Sequence, residues 1–210
     1  SCTDHDWFEK LARKLFDNAG GMVTGPGGVG KTHLLKTFKN LVESEGQVCH
    51  VIALTHVASR LARGLTIARF LTRQTMHMTD RTWIVVDDAS QIPQHQWASL
   101  QRFKLVGVKL LTLGDFDGQL RPISDLWEDA RGRYEKSEDL VVLAEGLHIK
   151  LSVYRRGCNP DFFRWYCGMY EDVPVDDAGD KQALANWIRT AQQKHPWYGS
   201  PDGVHVVLSN

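Results

Sequence analysis

The stretch that decides the fold of this chain is Gly25-Pro26-Gly27-Gly28-Val29-Gly30-Lys31-Thr32. It matches the pattern G-x-x-x-x-G-K-[ST] completely, and it lies between a predicted strand at residues 22–24 and a predicted helix at residues 31–43. Glycines allow successive backbone N–H groups to point into one concavity, and the N-terminus of the helix adds partial positive charge. The stretch therefore predicts a site for the phosphates of a nucleotide.

Side chains in and after this loop carry the charge and the oxygen atoms that phosphate chemistry needs. Lys31 supplies a mobile positive charge for the β- and γ-phosphates, and the Thr32 hydroxyl is a hard ligand for Mg2+. Asp87 ends a predicted strand, where the sheets of α/β proteins bind ligands, so we expect it to be the second magnesium-holding group. Asp88 is expected to point toward the attacking water. In the alternative interpretation, the two aspartates cap the following helix.

Apolar segments of strand type alternate with segments of helical periodicity along the chain. This alternation predicts an α/β fold with a parallel sheet and helices on both faces. Ser90 is a possible cap for the fourth helix, and a domain boundary near Arg156 separates residues 1–156 from a truncated second domain at residues 157–210. The predicted strands are residues 22–24, 48–54, 83–86, 106–113, 149–153 and 203–208, and the predicted helices are residues 6–17, 31–43, 57–71, 94–103, 159–170 and 180–193.

The composition of the chain indicates what kind of nucleic-acid site it can have and in which compartment it is expected. The chain has 210 residues with 25 basic and 25 acidic side chains, so any nucleic-acid site must be a local groove rather than a basic field over the whole surface. The four cysteines form no C-x-x-C pair or zinc spacing, which favours free thiols in a reducing compartment. We therefore expect an intracellular protein, whether nuclear, cytoplasmic or virus-associated, without membrane segments or a secretion signal. Its ends suggest a fragment of a longer chain.

Four stretches, in order along the chain, resemble superfamily 1 helicases, especially the branch of RecD-like and PIF-type enzymes. The first is the P-loop. The others are VIALTHVAS at residues 51–59, similar to A-x-T-x-x-A-A; VVDDAS at residues 85–90, close to D-E-A-S; and LGDFDGQLRP at residues 113–122, close to G-D-x-x-Q-L-P-P with one residue inserted. Fainter similarities lie at residues 64–67, 151–156 and 206–210. The resemblance implies the first RecA-like P-loop ATPase domain of such a helicase, followed by the start of a second.

The same resemblance implies an activity and roles for residues. It implies hydrolysis of ATP with Mg2+, coupled to movement on single-stranded nucleic acid, with DNA favoured over RNA. Gln119 would sense the γ-phosphate, and Arg155 or Arg156 would touch it from the domain boundary, with Arg156 favoured by its distance from Leu151. Candidate contacts to the nucleic-acid backbone are Thr55, His56 and Thr66.

Departures from the family pattern keep other functions open. Asp88 stands where the family has glutamate, which shortens the general base by one methylene group. Ala68-Arg69 replaces the family's His-Ser, and no N-terminal glutamine suits adenine recognition. The alternatives are therefore a P-loop ATPase of AAA+ type that remodels protein complexes, and a hydrolysis-deficient nucleotide-binding module.

Overall fold

The computed structural model describes residues 2–61, 63–73, 78–116 and 138–155, together with residue 189. The chain divides into two compact units, Ser1–Cys158 and Asn159–Asn210, and the helices and strands below belong to the first. Gln119, Arg156 and the elements predicted after residue 156 lie outside the described residues. The predicted domain boundary and the predicted second domain therefore stay predictions.

The strands of the described residues form one parallel sheet, which confirms the predicted α/β class. The order of strands across the sheet is β3-β2-β4-β5-β1-β6, and each neighbouring pair runs parallel. Parallel neighbours require crossover connections, and helices supply them. The strands are β1 (Gly20–Thr24), β2 (Val48–Ala53), β3 (Leu65–Thr66), β4 (Thr82–Asp87), β5 (Lys109–Gly114) and β6 (His148–Lys150).

Helices of different length connect and cover these strands. The longest, α1 and α2, agree with the predicted helices near residues 6–17 and 31–43, and α5 agrees with the one at residues 94–103. No helix in the described part of the chain is long and apolar enough to cross a bilayer. The helices are α1 (Cys2–Asp17), α2 (Lys31–Ser44), α3 (His56–Leu61), α4 (Ile67–Arg73), α5 (Gln94–Lys104) and α6 (Glu138–Leu143), with a 3₁₀ turn at Ala89–Gln91.

The core is apolar on both faces of the central strands. On one face, Ile84 of β4 belongs to a buried cluster that also includes Phe70 of α4 and Trp97 of α5. Elsewhere in the core, the Trp83 indole is fully buried, with its ring centroid 4.9 Å from that of Phe38 in α2 and its Nε1 donating a hydrogen bond. Burial on both faces is what parallel strands require.

The single helix predicted at residues 57–71 is wrong. The structure has two short helices there, α3 and α4, separated by the two-residue strand β3. Arg63 adopts a left-handed conformation (φ 53°), and the backbone of Gly64 approaches β2 so closely that a Cβ atom would collide with the carbonyl oxygen of Val51. Apolar spacing continues through the break, so periodicity alone did not reveal it.

Other differences concern the ends of elements. Ser90 does not cap α5: it lies in the 3₁₀ turn, and Pro93 occupies the position before the helix. The first strand, β1, begins at Gly20 rather than at residue 22 as predicted, and α6 was not predicted. The predicted strands at residues 106–113 and 149–153 occur as Lys109–Gly114 and His148–Lys150.

Candidate nucleotide site at the carboxyl edge of the sheet

The carboxyl ends of the parallel strands form one edge of the sheet. The predicted site residues that the structure describes lie at the ends of these strands or in the segments that follow them. In the register of the sheet, Thr24 is paired with Gly114, and Ala53 is paired with both Asp87 and Thr66. The P-loop leaves this edge after Thr24. Because β5 lies between β1 and β4, the loop and Asp87 are separated by one strand, at the edge where α/β proteins bind ligands.

The glycine-rich loop runs from Gly25 to Gly30, and α2 begins at the next residue, Lys31. Its start is tied to the sheet by a hydrogen bond from the Gly25 N–H to the Gly114 carbonyl, 3.2 Å. Gly30 precedes the helix in a left-handed conformation (φ 100°, ψ 16°), and no side chain caps the helix at this position. A Cβ atom at Gly30 would lie 2.7 Å from Cζ of Phe8, so both the backbone conformation and the available space require glycine here.

The Lys31 ammonium group lies across this loop. Its Nζ donates to the carbonyl oxygens of Gly25 at 2.5 Å and of Pro26 at 3.0 Å. These bonds place a full positive charge beside the backbone N–H groups that the loop presents to an anion. A flexible four-carbon stem allows the same ammonium group to turn from the carbonyl groups to a phosphate.

Asp87 is a buried carboxylate at the end of β4, 9% exposed. Burial, together with the negative charge of Asp88, raises its pKa from 3.8 to about 6, although the Asp88 N–H and the positive charge of Lys31 act in the opposite direction. The Asp88 N–H donates to Oδ1 of Asp87 at 3.1 Å. A carboxylate that burial disfavours as an anion is one that a divalent cation would stabilise.

Two of the predicted site residues offer oxygen atoms that suit magnesium. Thr32 lies in the first turn of α2, where its side chain is exposed. Mg2+ is commonly held by one or two protein oxygens together with phosphate oxygens and water, and the Asp87 carboxylate and the Thr32 hydroxyl supply such oxygens. The described residues contain no group of three or more His, Cys, Asp or Glu side chains that could hold a metal ion by themselves.

Asp88 turns the chain out of β4. It adopts a left-handed conformation (φ 52°, ψ 42°), which is uncommon for a residue other than glycine, and it is half-buried. It precedes the 3₁₀ turn without a side-chain capping bond, and α5 begins later, after Pro93. The interpretation that the two aspartates cap the following helix is therefore wrong.

The three candidate nucleic-acid contacts lie at neighbouring strand ends but differ in exposure. Thr55 and His56 follow β2 and are exposed. Thr66 ends β3 and is 8% exposed, and its Oγ1 accepts a hydrogen bond from the Arg69 N–H at 3.3 Å. Thr66 thus stabilises the first turn of α4, and its proposed contact with a nucleic-acid backbone stays a prediction.

Arg155 lies behind the P-loop. Its backbone N–H donates to the Gly28 carbonyl at 2.9 Å, and its guanidinium Nη1 donates to the carbonyl oxygens of Val29 at 3.3 Å and Val153 at 3.1 Å. The interpretation of Arg155 or Arg156 as a γ-phosphate contact stays a prediction, as does the role of Gln119.

One residue at this edge was quoted from the sequence without being given a role. Asp115 follows β5, between the strand that leads to the P-loop and the strand that ends in Asp87, and it is 4% exposed. A buried carboxylate beside Gly114, to which the P-loop is bonded, belongs to the immediate surroundings of the site. Its sequence signal was the Gly-Asp pair after an apolar strand; its burial depends on the strand order, which the sequence does not show.

Comparison with known proteins shows the family to which this chain belongs. Residues 10–126 match the model of a family described as AAA domain, AAA_30, over more than half of the chain. The chain belongs to this family. No curated protein matches the sequence of this AAA domain significantly.

Solved structures of Pif1 helicases share the fold of this AAA domain. The Candida albicans Pif1 helicase superposes with a TM-score of 0.62 at 19% identity, over 80% of this chain and 44% of that protein. Bacteroides Pif1 bound to single-stranded DNA gives 0.58 at 21% identity, over 80% and 46%. Bacteroides sp. Pif1 in complex with ADP-AlF4 gives 0.57 at 20% identity, again over 80% and 46%. The predicted RecA-like P-loop fold is confirmed, and the chain spans less than half the length of each of these helicases.

Proposed function

We propose that this chain is the ATP-hydrolysing motor domain of a helicase or translocase that moves on single-stranded DNA. One observation carries the proposal. A complete P-loop and the buried Asp87 carboxylate, whose pKa is raised, lie at the same edge of a RecA-like sheet. The fold of the Pif1 helicases supports it, as do the single-stranded DNA and the ADP-AlF4 bound to Bacteroides Pif1. Complexes of this kind suggest ATP as the nucleotide.

In the proposed reaction, the chain binds and orients the triphosphate. The backbone N–H groups of residues 27–30 and the Lys31 ammonium group hold its phosphates, while Thr32 and Asp87 would hold Mg2+. The bound cation would neutralise charge on the phosphate oxygens. Asp88 orients the attacking water and accepts its proton. Gln119 and Arg156 are proposed to respond to the γ-phosphate.

DNA binding is proposed for the same edge of the sheet, beside the nucleotide. Thr55 and His56 are exposed at the end of β2, next to the strand that ends in Asp87. Hydroxyl groups, ring N–H groups and backbone N–H groups suit contacts with phosphate oxygens, which carry no base preference. Strands β2 and β4 are paired along their full length. Single-stranded DNA that is bound at the end of β2 would therefore lie beside the end of β4, which carries Asp87 and Asp88.

The test is steady-state ATP hydrolysis by the full-length protein, with and without a single-stranded oligodeoxynucleotide. We compare the unmodified protein with Lys31→Ala and with Lys36→Ala, an exposed lysine on the same helix that serves as the matched control. We expect stimulation by the oligonucleotide, retained in Lys36→Ala and lost in Lys31→Ala. Hydrolysis that is indifferent to the oligonucleotide would instead support an ATPase that remodels protein complexes, and MgATP binding without hydrolysis would support a hydrolysis-deficient module.

A further inference from the structure

The segment that follows β6 runs along the back of the P-loop. The Leu151 N–H donates to the Thr24 carbonyl at 2.7 Å, one residue before the loop begins. The next residue of the loop, Gly25, is packed so tightly against this segment that a Cβ atom there would collide with the Leu151 carbonyl oxygen. The segment therefore supports the loop from its first residue onward.

Arg155 continues this support where the loop binds phosphate. Its backbone N–H and its guanidinium group donate to two successive loop carbonyls, those of Gly28 and Val29. In a trans peptide, the C=O and the N–H of the unit point in opposite directions. Holding these two carbonyl oxygens on the Arg155 side therefore directs the N–H groups of Val29 and Gly30 to the other side. A peptide that rotated would present a carbonyl oxygen to the phosphates instead, which repels an anion.

Two aromatic rings of α1 hold the guanidinium group in this position. The Arg155 Cζ lies 5.0 Å from the ring centroid of Trp7 and 5.0 Å from that of Phe8, within the range of cation–π attraction. Phe8 also packs against the loop itself, because its Cζ lies 2.7 Å from the place where a Cβ of Gly30 would be. Helix α1, Arg155 and the outer side of the loop thus form one packed unit.

We propose that Arg155 is a positioning residue that presets the P-loop for phosphate binding by fixing the Gly28 and Val29 carbonyl groups on its outer side. This proposal rests on the proposed function, because it assumes that the loop binds a nucleotide. It assigns Arg155 a role different from contact with the γ-phosphate, and the two roles differ in what they predict. A preset loop holds the diphosphate part that ATP and ADP share, whereas a γ-phosphate contact affects ATP alone.

The experiment measures dissociation constants for MgATP and MgADP, steady-state kcat and KM, and thermal unfolding without nucleotide. The variants of the full-length protein are Arg155→Ala, Arg155→Lys and the matched control Arg102→Ala, an exposed arginine on α5. Arg155→Ala keeps the backbone bond to the Gly28 carbonyl but loses the bond that the charged guanidinium group donates to the Val29 carbonyl. We therefore expect both nucleotides to bind about tenfold more weakly, with KM raised and kcat largely kept. Arg155→Lys keeps the charge but not the planar fork and should recover part of the affinity.

Two results would overturn the positioning role. Loss of kcat and of MgATP affinity with MgADP binding unchanged would assign Arg155 to the γ-phosphate. A lower unfolding temperature with both nucleotide affinities intact would assign it to stability alone. If Arg155→Ala does not fold, the same comparison made with Arg155→Lys decides between these roles. Failure of the unmodified protein and of Arg102→Ala to bind MgATP would instead contradict the proposed function.

Discussion

Asp87→Asn should stabilise the nucleotide-free protein while it removes the response to magnesium. The carboxylate is 9% exposed, and burial together with the Asp88 charge raises its pKa from 3.8 to about 6. The folded protein therefore binds this proton more tightly than the unfolded chain does. Between about pH 4 and pH 6 the free energy of unfolding falls as pH rises, and above about pH 6 the carboxylate costs the folded state a constant amount.

The size of this cost follows from the two pKa values. The difference between 3.8 and about 6 corresponds to about 3 kcal/mol at neutral pH. Asparagine removes the charge but keeps an oxygen atom that can accept the hydrogen bond from the Asp88 N–H. We therefore expect Asp87→Asn to raise the free energy of unfolding by up to about 3 kcal/mol at pH 7.5, and by almost nothing near pH 4.

Urea denaturation in EDTA at several pH values measures the difference directly. Asp6→Asn, at an exposed position of α1, is the matched control and should show no such growth with pH. Added Mg2+ with ADP should stabilise the unmodified protein and the control much more than Asp87→Asn. A variant that is less stable than the unmodified protein at pH 7.5, or equally shifted at every pH, would refute this reasoning.

Two further predictions concern β2. Burial lowers the pKa of His50, so the unfolded chain takes up this proton first as pH falls. His50→Asn should therefore flatten the loss of stability that begins as pH falls below about 6.5, measured by urea denaturation. An unchanged slope would contradict it. Gly64→Ala should lower the free energy of unfolding by about 3 kcal/mol, because the added Cβ atom would collide with the Val51 carbonyl oxygen. In the control Gly146→Ala the added Cβ atom has open space around it, so the free energy of unfolding should fall by only about 1 kcal/mol, because of the positive φ. Equal losses of stability in the two variants would contradict the predicted collision at Gly64.

The positions of the P-loop and of Asp87 in the fold were largely predictable, because their signals are local. Spacing within residues 25–32 determines a loop whose backbone can surround a phosphate, and the helix that follows begins at Lys31, as predicted. Asp87 ends an apolar strand in both the sequence and the structure. Features of this kind depend on neighbours within a few residues, which hydrophobic periodicity and glycine spacing record.

Three features depend on residues that are distant in the sequence, and only the tertiary structure shows them. The break at Gly64 comes from contact with Val51 on another strand, and the burial of Asp115 comes from the order of the strands. Arg155 reaches the Gly28 and Val29 carbonyls only because β6 is paired with β1.

The sequence by itself thus determined the P-loop, the two aspartates and the α/β class. Local spacing along the chain is enough to set the backbone conformation of a glycine-rich loop and the end of a buried strand. Only the tertiary structure decided which charges are buried, what holds the loop from behind and where a helix must break. Those properties follow from strand order and from packing between distant segments, such as the hydrogen bond between Arg155 and Val29, 126 residues apart, and no local pattern in the chain encodes them.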